Sequence, residues 1–231
     1  MRMAKIYYQD EWATIYHGDC REVLLELEPV DLVLTDPPYG VGLGRANNLA
    51  KSNGYGGHLS KQGYGTYADT YEEFIVEIIP RLNAFIDFAD RAVVFSGPHI
   101  HEQKKPAAIG GIYHPAAAGR TPWGSKNFLP ILFYGNPPSL VGTHRPTVFQ
   151  SSANTEVNGH PCPKPIAWLK WLISTYALAA DTILDPFMGS GTTLRAAKDL
   201  AIKSIGIEIE EKYCEIAVKR LRQEILFTEA A

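Results

Sequence analysis

Two short segments of this chain carry residue types that could perform group transfer onto a planar amine. The first reads Asp36, Pro37, Pro38, Tyr39 and directly follows the apolar run 30–35. Because both prolines have a fixed φ, the carbonyl of Pro37 is held in one direction. One carboxylate and one carbonyl can accept two hydrogen bonds from an exocyclic amine, which leaves the nitrogen lone pair aimed at an electrophile. Tyr39 would stack on a base that has left the duplex. The alternative is a rigid turn that Asp36 merely caps.

The second segment is a glycine turn at residues 185–193, which read Asp-Pro-Phe-Met-Gly-Ser-Gly-Thr-Thr. Glycines between a strand and a helix N-terminus let backbone N–H groups approach a ligand. Position 194 is a leucine rather than the glycine of a dinucleotide fingerprint, and the lysine of a P-loop is absent, so the turn suits a cofactor without a pyrophosphate. Glu208, at the end of the next predicted strand, can accept both hydroxyls of a ribose. Asp185 could meet a cationic amino group. The alternative is a tight turn that binds nothing.

The elements that must position these segments alternate between strands and helices. Apolar patterns predict strands at 13–17, 31–35, 91–95, 182–184 and 204–209, and helices at 21–27, 71–89, 166–176, 192–200 and 210–226. Pro80 should kink or divide the second helix. A strand, glycine turn, helix and strand in succession predict a right-handed crossover. We therefore expect an α/β fold with a doubly wound, mostly parallel sheet and loop-rich insertions.

Composition bounds the class of protein. The chain has 231 residues, of which 45% are hydrophobic and 20% charged, which is enough for one sizeable core. We predict a single domain over residues 1–231. No apolar stretch approaches the roughly 20 residues of a membrane helix, and the three cysteines lack C-x-x-C spacing. These features predict no membrane association, no metal site and a cytoplasmic location.

Charge is unevenly distributed along the chain. The formal net charge is −3, yet residues 97–165 hold six Lys/Arg against two Asp/Glu, and five of the seven histidines fall there. A basic middle segment is a candidate phosphate-facing surface, and a solvated loop face is the alternative. Residues 40–68 lack any apolar period, which indicates a long functional or disordered loop. We expect residues 40–70 and 98–160 to be insertions that contact nucleic acid.

The chain resembles the amino-group DNA methyltransferases that use S-adenosylmethionine. Asp-Pro-Pro-Tyr matches the catalytic tetrapeptide of that family, and Asp-Pro-Phe-x-Gly-Ser-Gly-Thr-Thr matches its cofactor loop. The catalytic segment precedes the cofactor loop, an order similar to that of the circularly permuted β group. The likeness covers 13–40 and 160–222, under half of the chain. It implies a Rossmann-like methyltransferase domain, S-adenosylmethionine as cofactor, double-stranded DNA as partner and base flipping.

The resemblance also implies site residues. The catalytic set is Asp36, Pro37, Pro38 and Tyr39, and the cofactor set is Asp19, Lys164, Asp185, Phe187, Gly189, Ser190, Gly191, Thr192 and Glu208. Asp19 can equally form a capping box with Glu22. Lys164 lies in a segment similar to the family's His-Pro-x-Gln-Lys-Pro. There Pro163 replaces the glutamine and removes its hydrogen bond.

The target base follows by analogy. Aspartate at position 36 is typical of adenine enzymes of the family and serine of cytosine-N4 enzymes, so we expect transfer to the N6 of adenine, with the N4 of cytosine as the alternative. Transfer should be direct, since Cys162 lacks the setting of a carbon-5 nucleophile. A non-catalytic, methyltransferase-like nucleic-acid-binding subunit would be expected to have lost a motif residue. A protein-amide methyltransferase typically has asparagine at position 36. These residues do not distinguish an RNA substrate from a DNA substrate.

Target recognition is assigned to side chains in the two insertions. The candidates are Arg45, Asn47, Asn48 and Lys51 in the first, and Arg120, Lys126, His144 and Arg145 in the second. Solvation of these side chains is the alternative. The middle segment is short for a recognition domain, which leaves open a short site, loose specificity or a homodimer. A cognate restriction nuclease is also left open.

Overall fold

The computed structural model describes residues 5–42, 69–115, 120–138, 145–152 and 163–223. Its strands are β1 Lys5–Gln9, β2 Ala13–His17, β3 Val30–Thr35, β4 Ala89–Phe95, β5 Ala108–Tyr113, β6 Arg120–Thr121, β7 Gly124–Ser125, β8 Phe128–Gly135, β9 Val148–Gln150, β10 Thr182–Asp185 and β11 Lys203–Glu208. Its helices are α1 Cys20–Leu24, α2 Tyr71–Glu73, α3 Ile79–Phe88, α4 Ile166–Tyr176, α5 Thr192–Asp199 and α6 Glu211–Leu221. A π-helical turn, Phe74–Ile78, joins α2 to α3. None of the helices in these ranges is long and apolar enough to cross a membrane.

Nine strands form one sheet in the order β1, β2, β11, β10, β3, β4, β8, β5, β9. Five adjacent strands in this order, β2, β11, β10, β3 and β4, are parallel to one another. Strand β8 is antiparallel to both β4 and β5, so β5 again runs in the direction of β4. The predicted mostly parallel sheet is confirmed.

Helices cover both faces of the parallel strands. Leu32 and Leu34 of β3 pack on one face against α4 and α5. Val33 points to the other face, where residues of α1 and α3 enclose it. Burial on both faces explains why this strand is a nearly continuous apolar run instead of an alternating one. A third cluster joins α6 to β2 and to Met188 of the glycine turn.

The predicted helix 71–89 is divided, as Pro80 suggested. Thr70 and Glu73 form a capping box at its start. Because Pro80 has no N–H to donate to the carbonyl four residues earlier, the chain changes register before it. The N–H of Ile79 instead reaches the carbonyl of Phe74, which produces the π-helical turn. Strand β4 then begins at Ala89, two residues earlier than predicted.

The strand order brings the two candidate segments together. Strands β3 and β10 are parallel neighbours, so residues 36–39 and the glycine turn leave the same edge of the sheet. A hydrogen bond from Thr35 Oγ1 to Asp185 Oδ1, 2.7 Å long, joins the two strand ends directly. Sites in open α/β sheets form at such carboxyl edges.

Candidate functional site

A single cavity of about 350 Å³ lies at this carboxyl edge. It is lined by all of the catalytic and cofactor residues proposed from the sequence except Gly191. These are Asp19, Asp36, Pro37, Pro38, Tyr39, Lys164, Asp185, Phe187, Gly189, Ser190, Thr192 and Glu208. Gly191 instead begins α5, with φ +75°, and a β-carbon there would lie 2.6 Å from that of Ala217. Its absence of a side chain serves the packing of α5 on α6.

The proposed catalytic residues 36–39 line one side of the cavity, which we call the catalytic half after that proposal, and Asp36 is its polar centre. The hydroxyl of Tyr39 donates to Asp36 Oδ1, and Lys164 Nζ forms an ion pair with Asp36 Oδ2. The Lys164 side chain is only 10% exposed, and its ammonium lies 5.5 Å from the ring centroid of Tyr39 and 5.8 Å from that of Phe95. Lys164, which the sequence placed with the cofactor, therefore contacts the catalytic segment. Neither contact of Asp36 was predicted.

Gly97 sets the position of the Tyr39 ring. It follows β4, and a β-carbon at this residue would lie 2.7 Å from both Cβ and Cγ of Tyr39. Real β-carbons do not approach other atoms so closely. Glycine is therefore required for the ring to lie against the end of β4. The sequence predicts only a strand that ends two residues before Gly97.

Asp69 holds the backbone that follows Tyr39. Its Oδ1 accepts the N–H of Gly40 at 2.7 Å, its Oδ2 accepts the N–H of Val41 at 3.3 Å, and its carbonyl accepts the N–H of Gly42 at 2.6 Å. The residue is buried and has φ +55°, a region that aspartate tolerates better than most residues. Sequence reasoning missed this role because Asp69 belongs to no recognisable motif. The capping box that follows was the one available signal.

The glycine turn and Glu208 line the other side of the cavity, which we call the cofactor half after the role proposed for it. Oε2 of Glu208 accepts the N–H of Gly189 and its Oε1 the N–H of Glu210, both at 2.8 Å. Each oxygen keeps a further lone pair for a ligand donor. Burial raises the pKa of Glu208 to about 7, against the opposing effect of these hydrogen bonds. The carboxylate thus holds the glycine turn and still offers acceptors to the cavity.

Asp185 links three elements in the interior. Besides Thr35, its carboxylate accepts the hydroxyl of Thr193 at 2.6 Å and the N–H of Phe187 at 3.2 Å. Burial raises the pKa of Asp185 to about 6. Its oxygens tie β3, β10 and α5 together, a linking role that the sequence did not indicate. Both threonines were missed because hydroxyl residues at strand ends and helix starts are common.

Arg220 supports the glycine turn from behind. This buried residue of α6 donates from Nη1 to the carbonyl of Ser190 at 3.2 Å and to Thr192 Oγ1 at 2.8 Å. The sequence predicts this helix but gives Arg220 no role. The available signal is a basic residue directly before the apolar Leu221.

Asp19 caps α1 through the N–H of Arg21 and not through the capping box with Glu22 that the sequence suggested. Its carboxylate caps α1 by accepting the N–H of Arg21 at 2.9 Å, and it also pairs with the guanidinium of that residue. The same side chain lines the cavity. Capping and ligand contact are therefore compatible here.

The predicted recognition residues are only partly described. Arg45, Asn47, Asn48, Lys51 and His144 lie outside the described residues, as does Cys162, and of Arg120 only the backbone, in β6, is described. Nε and Nη2 of Arg145 are buried without a hydrogen-bond partner. Arg145 is thus not simply solvated.

Comparisons with known proteins agree on one family. A family model described as DNA methylase matches residues 123–219. Type II methyltransferase M.ScaI of Streptomyces caespitosus is 26% identical over 96% of this chain and 85% of its own length. DNA adenine methyltransferase YhdJ of Escherichia coli (strain K12) is 27% identical over 93% of this chain and 84% of its own length.

Solved structures share the fold. The M1.HpyAVI–SAM complex has a TM-score of 0.61 and 24% identity, covering 91% of this chain and all of that chain. PvuII DNA methyltransferase, described as cytosine-N4-specific, has a TM-score of 0.66 and 17% identity, covering 98% of this chain and 92% of that chain. At these identities the likeness concerns the fold, and both amino-methylating specificities occur among the proteins that this chain is similar to.

Proposed function

We propose that the chain is an amino-group DNA methyltransferase of the N6/N4 type and that it transfers the methyl group of S-adenosylmethionine to the N6 of adenine in double-stranded DNA. One observation carries the proposal. Asp36 and Tyr39 face the glycine turn across a single cavity, and the Thr35–Asp185 hydrogen bond joins the two strand ends. Methyl transfer to an amine needs a group that accepts hydrogen bonds from the amine and a site that binds the methyl donor, and both candidates lie at this edge of the sheet.

The residues of the cofactor half fit S-adenosylmethionine. Glu208 presents two oxygens with free lone pairs where a ribose would lie, and Gly189 carries no side chain that would block the approach. The turn lacks the pyrophosphate-binding glycine and the P-loop lysine, as expected for a cofactor without phosphates. When bound, S-adenosylmethionine supplies an electrophilic methyl group on a sulfonium. Ser190, Thr192, Phe187 and Asp19 would line its surroundings.

The catalytic half orients the amine. As a carboxylate, Asp36 can only accept hydrogen bonds, and with the Pro37 carbonyl it would accept both N–H groups of an exocyclic amine. This pulls the nitrogen toward a tetrahedral geometry and frees its lone pair for attack. Tyr39, fixed against Gly97, would stack on the base. Lys164 balances the charge of Asp36 and must yield part of its contact when the amine arrives.

Adenine is preferred to cytosine on the identity of residue 36. Aspartate there resembles the adenine enzymes, and YhdJ, a DNA adenine methyltransferase, matches nearly the whole chain. The PvuII enzyme, with its cytosine-N4 specificity, supports the second candidate through its shared fold. The hydrogen-bond acceptors described above serve either amine.

Label transfer separates these candidates. We would incubate the protein with labelled S-adenosylmethionine and unmethylated duplex DNA, and separate the nucleosides by chromatography. Label in N6-methyladenine is expected. Label in N4-methylcytosine would favour the second candidate, and cofactor binding without transfer to DNA would overturn both.

The arrangement of the chain belongs to the same proposal. Residues 1–231 would form one methyltransferase domain of the permuted β group, because the catalytic segment precedes the cofactor turn in the chain while β3 and β10 are neighbours in the sheet. Residues 40–70 and 98–160 would contact DNA.

A further inference from the structure

Three exposed aromatic residues lie between the end of β5 and the start of β8, at the edge of the sheet that carries the cavity. Tyr113 ends β5 and faces Phe128, which begins β8. Between them the small hairpin of β6 and β7 places Trp123 in its two-residue turn. We call Tyr113, Trp123 and Phe128 the aromatic edge.

The aromatic edge leaves the sheet on the same side as the catalytic segment. Strand β5 runs in the direction of β4, and β4 is the parallel neighbour of β3. The end of β5 therefore lies at the edge where residues 36–39 leave β3. With about 4.8 Å between neighbouring strands, the ends of β8 and β5 are displaced from that of β3 by about 10 and 14 Å. A duplex bound over the cavity would extend this far within a few base pairs.

All three rings are exposed to solvent. Trp123 is 98% exposed, Phe128 49% and Tyr113 41%. Elsewhere in the described chain the indoles pack inward, with Trp168 8% exposed and Trp171 stacked on Phe149 at 5.0 Å. Large aromatic rings exposed together on a protein surface mark an interaction site.

The charge around the aromatic edge selects an anionic partner. From residue 103 to residue 155 the sequence contains no aspartate or glutamate, and the hairpin that carries Trp123 begins at Arg120 and is followed by Lys126. Such a stretch repels acidic protein surfaces and attracts phosphates. Aromatic rings interleaved with cations are the features by which proteins stack on bases while tracking a phosphate backbone.

We propose that the aromatic edge is a duplex-DNA contact surface, in which Trp123 stacks on or between bases beside the target nucleotide. The proposal rests on the proposed function, because it assigns a residue that helps the target base leave the helix. Extruding a base costs stacking and pairing energy, and insertion of a side chain into the vacated stack offsets part of that cost.

The first test is fluorescence during titration with unmethylated duplex DNA. Stacking on bases should quench the emission of Trp123, so the wild-type protein should lose more fluorescence than Trp123→Phe. Equal quenching in the two proteins would overturn the proposal. This measurement needs no turnover, so it still decides the matter if the wild-type protein transfers no methyl group to DNA and the proposed function fails.

The second test is methylation kinetics on the same duplex. Trp123→Ala should lower kcat/KM for DNA by about 10- to 100-fold, whereas Trp123→Phe keeps a stacking face and should retain most of it. The affinity for S-adenosylmethionine and the melting temperature should not change in either variant. Leu25→Ala, a matched control at a 71% exposed apolar residue far from this edge, should behave as wild type.

Two results would overturn the stacking role. One is wild-type kcat/KM in Trp123→Ala. The other is a Trp123→Ala variant that differs from the wild-type protein in molecular mass in solution but not in DNA methylation. That result would assign the aromatic edge to a contact between copies of the chain.

Discussion

Asp36 is engaged on both oxygens before any base arrives. Tyr39 donates to one and Lys164 to the other. The incoming amine therefore exchanges with, or adds to, donors that already define the direction of the carboxylate. Such preorganisation lowers the reorganisation needed at the moment of methyl transfer. The ion pair with Asp36 also places Lys164 beside the candidate catalytic segment, whereas the family resemblance had placed it with the cofactor.

Asp36→Ala tests the role of this carboxylate. Loss of the acceptor should lower the methylation rate at least 100-fold, by analogy with the removal of one catalytic hydrogen-bonding group, while the affinity for S-adenosylmethionine stays nearly unchanged. Rates would be measured by label transfer and affinity by equilibrium binding. Unfolding of the variant, seen by circular dichroism, would instead support the interpretation of Asp36 as a structural cap.

At the scale of elements, the segment after Tyr39 is anchored by a residue that lies 29 positions after Gly40 in the chain. Asp69 satisfies three consecutive backbone N–H groups, from Gly40 to Gly42. It stands directly before the capping box of α2, so the start of the helix and the end of the catalytic turn share one anchor. Tyr39 is therefore held from two sides, by Gly97 after the end of β4 and by this anchor.

Asp69→Ala should displace the catalytic turn. It removes two acceptors from buried N–H groups and puts alanine at φ +55°, so we expect a loss of about 2 to 4 kcal/mol of stability and a lower kcat. Asp69→Asn keeps Oδ1 for Gly40 and tolerates this φ, so it should recover much of both. Urea unfolding and label transfer check the pair. A wild-type kcat in Asp69→Ala would contradict the anchoring role.

At the scale of the whole molecule, the parallel sheet buries two carboxyl groups at its carboxyl edge. Burial raises the pKa of Asp185 from 3.8 to about 6 and that of Glu208 from 4.5 to about 7. Both groups bind their proton more tightly in the folded chain than in the unfolded chain. Their contribution to stability is thus fully present below the unfolded values and is lost as the pH rises to about 7.

Glu208→Gln isolates one of these contributions. Without cofactor, the wild-type protein should lose up to about 3 kcal/mol relative to the variant between pH 5 and pH 8, because the variant carries no charge to bury. Urea unfolding at both pH values measures the difference. A gap between the two proteins that does not change with pH would contradict the burial effect. Bound S-adenosylmethionine should reduce the gap, since ribose hydroxyls favour the ionised carboxylate.

The amino-acid sequence by itself determined the local features of this protein. Apolar runs specified buried parallel strands, glycines at 189 and 191 specified a turn with positive φ, and Asp36 with Tyr39 indicated the candidate amine-binding segment. These features could be predicted because each depends on residues within one element or one turn. The same patterns located the helices and most of the parallel strands, with boundary errors of a few residues at α1, α6 and β4.

Only the tertiary structure decided which distant residues meet. The contact of Lys164 with Asp36, the Thr35–Asp185 bond, the anchor at Asp69 and the support from Arg220 all join segments far apart in the chain. They depend on β3 and β10 being neighbours and on the helices that cover the sheet. Local periodicity does not encode strand order, because the free energy that selects it comes from burying both faces of the sheet at once.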